Sequence, residues 1–426
     1  MLFYHYLCKM ELNSKLVERR DCMYIKRHIE EVIVQAKDHF KVLLITGPRQ
    51  VGKSTLLKHL LKDEYNYVSL DDIIALKLAK DDPRLFFENH PMPVVIDEVQ
   101  KAPELFVEIK RMVDESDEYG KIILTGSQTF SLMAGVTETL AGRVGIYELG
   151  GLSFREINHV SRRNSFVPSN TFLDLPIEET DHDLWTFIFK GDLPELYKNK
   201  NLDSTHYYSS YVKTYIERDV RSIVNVLNLD KFSRFLIAFA ARTAQIVNYS
   251  HIASEVGVDI KTIQSWVKVL EASGLIKIIE PFSNNKIKRM IKSPVVYFLN
   301  TGLVSYLLKW TSAETLKNGA FSGEVLETYV FNEIYKTFKN NGNIDPSIYY
   351  YRDVYGNEID LIIEQDGVLY PIEIKKTMNP KKEMTKSFKQ LDKAVGFKVG
   401  NEIILSLLDR KVKFGDKLYS YPIEKI

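Results

Sequence analysis

Between residues 41 and 150, short apolar runs alternate with stretches of helical spacing. The runs Val42–Thr46, 67–70, Val94–Asp97, Ile122–Thr125 and 144–149 read as strands covered on both faces. Helix-like periodicity fills 53–61, 73–79, 103–114 and 129–134 between them. This alternation predicts a parallel sheet with crossover helices. Residues 158–182 are polar and turn-rich and read as a loop or boundary. The stretch 184–247 reads as mostly helical and carries Trp185, Phe187, Tyr207, Tyr208, Tyr211 and Tyr215.

A different pattern follows. Two short helices fit Tyr249–Val256 and Ile260–Ala272, joined by a turn at Gly257, Val258 and Asp259, and strands are expected at 275–281 and 286–290. That order resembles a winged helix-turn-helix with Ile260–Ala272 as recognition helix. Residues 231–293 hold ten basic against four acidic side chains, a balance that suits phosphate contact. A structural or protein-contact role is the alternative. Beyond residue 320, an amphipathic helix is expected at Ser322–Lys339, with strands at Ile348–Arg352, 358–364, Val368–Lys375 and 402–407. The fold class is therefore α/β. An N-terminal tail (1–22) precedes a parallel-sheet α/β domain (23–157) and a helical lid or linker (158–230). A winged-helix-like unit (231–299) and a small α/β domain (300–426) follow.

Composition narrows the setting. The chain has 426 residues, 45% of them hydrophobic and 27% charged, enough for several globular units. A net charge of +1 supplies no global field toward nucleic acid or a membrane. The two cysteines, Cys8 and Cys22, have no metal-ligand spacing, and a reducing cytoplasm is expected. No apolar run approaches the length of a membrane span, and the apolar first eight residues lack a basic leader.

The strongest chemical motif follows the first strand. Gly47, Pro48, Arg49, Gln50, Val51, Gly52, Lys53, Ser54 and Thr55 fit GxxxxGK[S/T] between a strand and a helix. The two glycines let the backbone turn so that amides and a helix N-terminus face the phosphates of ATP. Lys53 would reach the β- and γ-phosphates, and Ser54 would hold Mg²⁺. Asp97 and Glu98 end the apolar run from Val94. Asp97 is the second expected Mg²⁺ ligand, and Glu98 the residue that polarises the attacking water. Ser127 follows the strand Ile122–Thr125, where it either orients that water or caps the next helix.

Together with the stretches Leu124 to Ser127, Leu140 to Arg143 and Leu152 to Glu156, these motifs resemble a family of bacterial and archaeal AAA-type ATPases. Its members carry a C-terminal domain of uncharacterised function, and Lys213 to Val220 resembles its junction motif. The resemblance spans residue 23 to about residue 410. It implies Arg143 as an arginine finger or sensor, in cis or on a neighbouring subunit of a homo-oligomer, with Arg218 second; a plain salt bridge is the alternative for both. Asn300 stands where the family pattern leads one to expect aspartate; asparagine would preserve a cap or turn.

A second constellation lies near the C-terminus. Glu358 and Asp360, then Glu373 and Lys375, alternate with apolar residues, so each pair shares one strand face. An Asp with a Glu-x-Lys on neighbouring strands resembles the core of restriction-endonuclease-like nucleases, with Glu327 on the preceding helix as a further acid. Asp360 and Glu373 would bind Mg²⁺, and Lys375 would orient the nucleophile. Alternating charge on half-exposed strands is the plainer reading. Lys375, Lys376, Lys381, Lys382 and Lys386 form a basic run suited to a nucleic-acid backbone or to an ordinary solvated face. Three functions fit: an ATPase coupled to nucleic acid, an ATP-gated DNA nuclease, and a nucleotide-dependent protein-interaction switch.

Overall fold

The computed structural model describes residues 24–62, 64–127, 136, 138–161, 164–216, 229–283, 293–393 and 396–426. The first unit is a sheet of five parallel strands in the order β2-β3-β4-β1-β5. These are β1 (Val42–Thr46), β2 (Asn66–Ser69), β3 (Val94–Asp97), β4 (Ile122–Thr125) and β5 (Val144–Glu148). The central strands β1, β3 and β4 are buried at every residue, as continuous apolar runs require when helices cover both faces. Parallel pairing places the C-terminal ends of β1, β3 and β4 along one edge, where crossover loops open a crevice. Helix α1 (Lys53–Leu60) leaves that edge. The expected helix at 129–134 lies outside the described residues.

The middle of the chain runs helix, strand, two helices, two strands: α2 (Leu229–Ala240), β6 (Gln245–Ile246), α3 (Tyr249–Val256), α4 (Ile260–Ala272), β7 (Ile276–Ile279) and β8 (Val295–Phe298). Asn248 and Asp259 cap the two short helices, and Gly257 supplies the left-handed turn between them at φ 74°. The three strands form an antiparallel sheet in the order β6-β8-β7. β8 completes the sheet, and the expected strand at 286–290 lies outside the described residues.

The C-terminal sheet has seven strands, ordered β14-β15-β13-β11-β10-β9 with β12 beside β11. Here β9 (Ile348–Arg352), β10 (Glu358–Gln365) and β11 (Val368–Lys375) form an antiparallel meander. Strands β13 (Glu402–Ser406) and β15 (Leu418–Pro422) continue it in parallel, and β12 (Lys398–Val399) and β14 (Val412–Lys413) are short edge pieces.

Two helices bind these parts together. α5 (Thr301–Leu307) is capped by Asn300, and α6 (Ser322–Lys339) runs through the interior. α6 is not the one-faced amphipathic helix expected from its spacing: 14 of its 18 residues are buried. Its apolar side chains join one cluster that extends from Leu43 of β1 through Phe187, Tyr208 and Trp266 to Leu361 and Tyr421. The three parts therefore share a core instead of hanging on linkers.

The polar residues of α6 are spent at the boundary with the first unit and with the helical stretch that follows it. Lys336 Nζ lies 2.8 Å from Asp192, 2.9 Å from Glu333 and 2.9 Å from the Leu152 carbonyl. Lys339 pairs with Glu148, and Glu333 accepts the Phe154 amide at 2.8 Å. All four charged side chains in the two ion pairs across the boundary are buried.

Asn300 belongs to the same layer. Its side chain caps α5 through the Leu303 amide at 2.7 Å, accepts from Tyr208 at 2.9 Å and donates to Asp192. Only an amide can accept and donate in this way; an aspartate would set a second carboxylate against Asp192. Asn300→Asp is expected to lower stability by about 2–3 kcal/mol, read as a drop in the urea midpoint at unchanged slope.

Candidate functional site

Strand β1 ends at Thr46, and the chain turns at once. Gly47 has φ 141°, and a Cβ there would lie 2.1 Å from the Leu149 carbonyl oxygen, so only glycine fits beside β5. Gly52, at φ 93°, opens α1. Within the loop, Lys53 Nζ donates to the Gly47 and Pro48 carbonyls at 2.9 and 2.8 Å and is buried. The loop is braced from behind by Arg27, which bonds the Val51, Gly150 and Gly151 carbonyls and pairs with Glu156 at 3.2 Å.

Ser54 Oγ donates to Asp97 Oδ2 at 2.8 Å, and Tyr67 on the edge strand β2 donates to the same oxygen at 2.5 Å. Burial and Asp97 together push the Tyr67 hydroxyl well above its ordinary range. Asp97 Oδ1 is buried with no hydrogen-bond partner among the described residues. An anionic oxygen kept out of water beside a hydroxyl is the donor set a hard cation takes. Ser54 and Asp97 thus fit Mg²⁺.

Glu98 leaves β3 in a left-handed conformation, φ 58° and ψ 41°, which turns its side chain to the same crevice. Ser127 is buried at the exit of β4. Gln100, which sequence reasoning passed over, joins the two: its amide donates to Glu98 and, at 3.2 Å, to Ser127 Oγ. A cleft of about 500 Å³ runs over the loop, and Tyr24, Ile25, Pro194 and Lys198 also line it. Those four lie at two distant places in the chain and belong to no motif, so nothing local in the sequence marks them.

Arg143 is placed elsewhere. Val144 pairs with Val42, so Arg143 sits at the N-terminal end of β5, about 15 Å of strand away from the loop. It is held at the surface by both oxygens of Asp114. A role on this chain's own γ-phosphate is thereby corrected: parallel strands carry the loop and Arg143 to opposite edges. Arg218 lies outside the described residues.

The C-terminal constellation comes together at the junction of two units. Asp360 on β10 accepts the Ile374 amide at 2.7 Å, and Lys375 Nζ lies 3.5 Å from Asp360 and 2.5 Å from Glu373. Glu327 on α6 accepts from Tyr297 of β8 at 2.8 Å. Tyr297 was not anticipated, because it stands in an apolar strand of another unit. Burial, then the Asp360 charge, holds the Glu327 carboxyl well above its usual range; burial also raises Asp360. Glu373 is pushed up to about 8, by burial first and Asp360 second. Its Oε2 is buried without a hydrogen-bond partner among the described residues. Among those residues no three His, Cys, Asp or Glu side chains are gathered as a ready metal cage. Two carboxylates suffice for Mg²⁺ when phosphate and water complete the shell, so Asp360 and Glu373 fit that ion with Lys375 between them.

Comparison with known proteins bears on the first of these sites. Residues 39–158 match a family model described as an AAA domain. With the five parallel strands and the loop already described, the match settles the class. This part of the chain is a P-loop ATPase domain. Residues 181–314 and 322–426 match two models described as domains of unknown function (DUF8612 and DUF4143). Uncharacterized proteins of Mycobacterium tuberculosis (Rv2008c) and Mycobacterium bovis (Mb2031c) are each 27% identical over 372 residues, covering 87% of this chain and 76% of theirs. Among solved structures, the Walker-type ATPase PABY2304 of Pyrococcus abyssi is 14% identical with a TM-score of 0.43, over 67% of this chain and 96% of that one. A point variant of Thermotoga maritima RuvB is 19% identical with a TM-score of 0.28, over 59% and 85%. Scores at that level add nothing to the fold assignment. Among the described residues no helix is long and apolar enough to cross a membrane.

Proposed function

We propose that this chain is an Mg²⁺-dependent ATPase whose nucleotide state is coupled, through α6, to C-terminal units that act on or with nucleic acid. The observation that carries the first half is the Ser54–Asp97 pair, which joins the start of α1 to the end of β3 with one Asp97 oxygen left unpaired. The loop amides and the α1 N-terminus would cradle the phosphates, and Lys53 would exchange its bonds to loop carbonyls for the transferring oxygens. When bound at Ser54 and Asp97, Mg²⁺ would supply charge neutralisation on the phosphates. Glu98 would take the proton of the attacking water, and Ser127 would orient it. Arg143 retains a part only as a group offered to a neighbouring subunit of a homo-oligomer.

Coupling rests on α6. Lys339 at one end pairs with Glu148, which in turn neighbours Thr46 in register, one residue before the loop. Glu327 stands twelve residues back, about 18 Å along the same rigid rod, in the carboxylate cluster. The order of α2 to β8 supports a winged helix. Lys261, Gln264 and Lys268 make an exposed stripe on α4 that suits a phosphate backbone. The meander β9 to β11, continued by β13, supports a restriction-endonuclease-like unit.

A second reading, an ATP-gated DNA nuclease, is favoured by the unpaired Glu373 oxygen. The decisive assay follows ATP turnover with and without single-stranded, duplex and branched DNA, and follows DNA integrity in the same tubes. The coupled ATPase is expected to turn over faster with DNA. If the nuclease reading holds, Mg²⁺ or Mn²⁺ supports cutting, and Asp360→Ala stops it while sparing ATP hydrolysis. Cleavage that survives this substitution overturns the site. Indifference to DNA, with nucleotide-dependent capture of a protein, would replace both readings with an interaction switch.

A further inference from the structure

We infer that Gln100 is a positioning residue for hydrolysis: it holds Glu98 and ties it to Ser127. The inference rests on the ATPase reading above and names a part that the loop motif does not contain. Three observations converge. Glu98 occupies the left-handed region, uncommon for a residue other than glycine, so the backbone here is set by its surroundings. The single 3₁₀ turn that follows, Val99–Lys101, folds the Gln100 side chain back over Glu98. The Gln100 amide then spends its nitrogen on two acceptors from different strands, Glu98 Oε2 after β3 and Ser127 Oγ after β4. Its own Oε1 is buried and takes no hydrogen bond among the described residues.

A glutamate with free rotation is a poor general base, since its productive orientation is one of several. Fixing Oε2 leaves Oε1 of Glu98 to meet the water. A neutral amide does this without setting a full positive charge against the carboxylate, as a lysine or arginine would. Because the same nitrogen reaches Ser127, displacement of that hydroxyl by a phosphate oxygen would be felt at Glu98. Gln100 thus converts two strand-end residues into one unit, and acts through Glu98 without touching the nucleotide.

The test uses the full chain. Gln100→Met keeps length and bulk while removing the donor. Its ATP kcat is expected to fall about 10–100-fold with the nucleotide Kd within about twofold of wild type. Ser127→Ala is expected to lower kcat as well, and the double variant to lose less than the product of the two factors, because one linkage is broken in all three. Gln100→Glu, which sets a carboxylate against Glu98, is expected to lower kcat further than Gln100→Met, and supplies the reading should the methionine variant fail to fold. Unchanged or faster turnover in these variants overturns the inference, as do losses that multiply independently. Wild-type turnover, measured alongside, separates the cases. Its absence removes the ATPase reading itself; its presence with an indifferent Gln100 removes only this inference.

Discussion

Lys53→Ala is expected to lower ATP hydrolysis by about two to three orders of magnitude, the scale seen when one preorganised charge is removed from a phosphoryl or acyl transition state. The size follows from placement. Lys53 is buried, at the start of α1, with its ammonium over two carbonyls of the loop that would surround the phosphates. Arg49 also lines the cleft, but among the loop's charged side chains Lys53 is the buried one. Glu98→Gln is expected to separate binding from chemistry: nucleotide is still held, and turnover is lost. A coupled-enzyme assay with parallel equilibrium binding distinguishes the two variants. Full turnover by pure Lys53→Ala protein would remove the assignment of the loop as the hydrolytic site.

Lys336→Met is expected to lower stability by about 3–5 kcal/mol, the cost of leaving buried charges unpaired. Lys336 satisfies Asp192 and Glu333 together, and a methionine fills its volume while leaving both buried carboxylates without that cation. Burial raises Glu333 even against the opposing lysine charge, and loss of that charge raises it further. Glu148→Gln is expected to cost less. Burial lowers the Lys339 ammonium despite its partner, so that lysine can shed its proton once Glu148 is neutral. Urea unfolding of both variants checks the order. Equal costs would mean that the two pairs are interchangeable, contrary to their geometry.

The first unit was legible because its chemistry sits where topology dictates. In a parallel sheet, residues at strand C-termini must meet; Asp97 ends a strand, and Ser54, Glu98 and Ser127 follow strands. Arg143 precedes its strand, and the same rule carries it to the other edge. Helices Tyr249–Val256 and Ile260–Ala272 were legible from the turn at Gly257, Val258 and Asp259, whose chemistry is local. What stayed hidden was long-range. Tyr297 meets Glu327, and Lys339 meets Glu148, across 30 and 191 residues of chain. Apart from Glu327, the polar positions of α6 read as the outer face of an amphipathic helix, because no local pattern announces a buried carboxylate on another unit.

The coupling claim is tested most directly by amide hydrogen exchange of the full chain, with and without a non-hydrolysable ATP analogue and Mg²⁺. The account expects nucleotide to change protection along Ser322–Lys339 and in β10 and β11, and expects Lys53→Ala to abolish the change. Protection altered only around the loop and its crevice, with the C-terminal sheet indifferent, would contradict it.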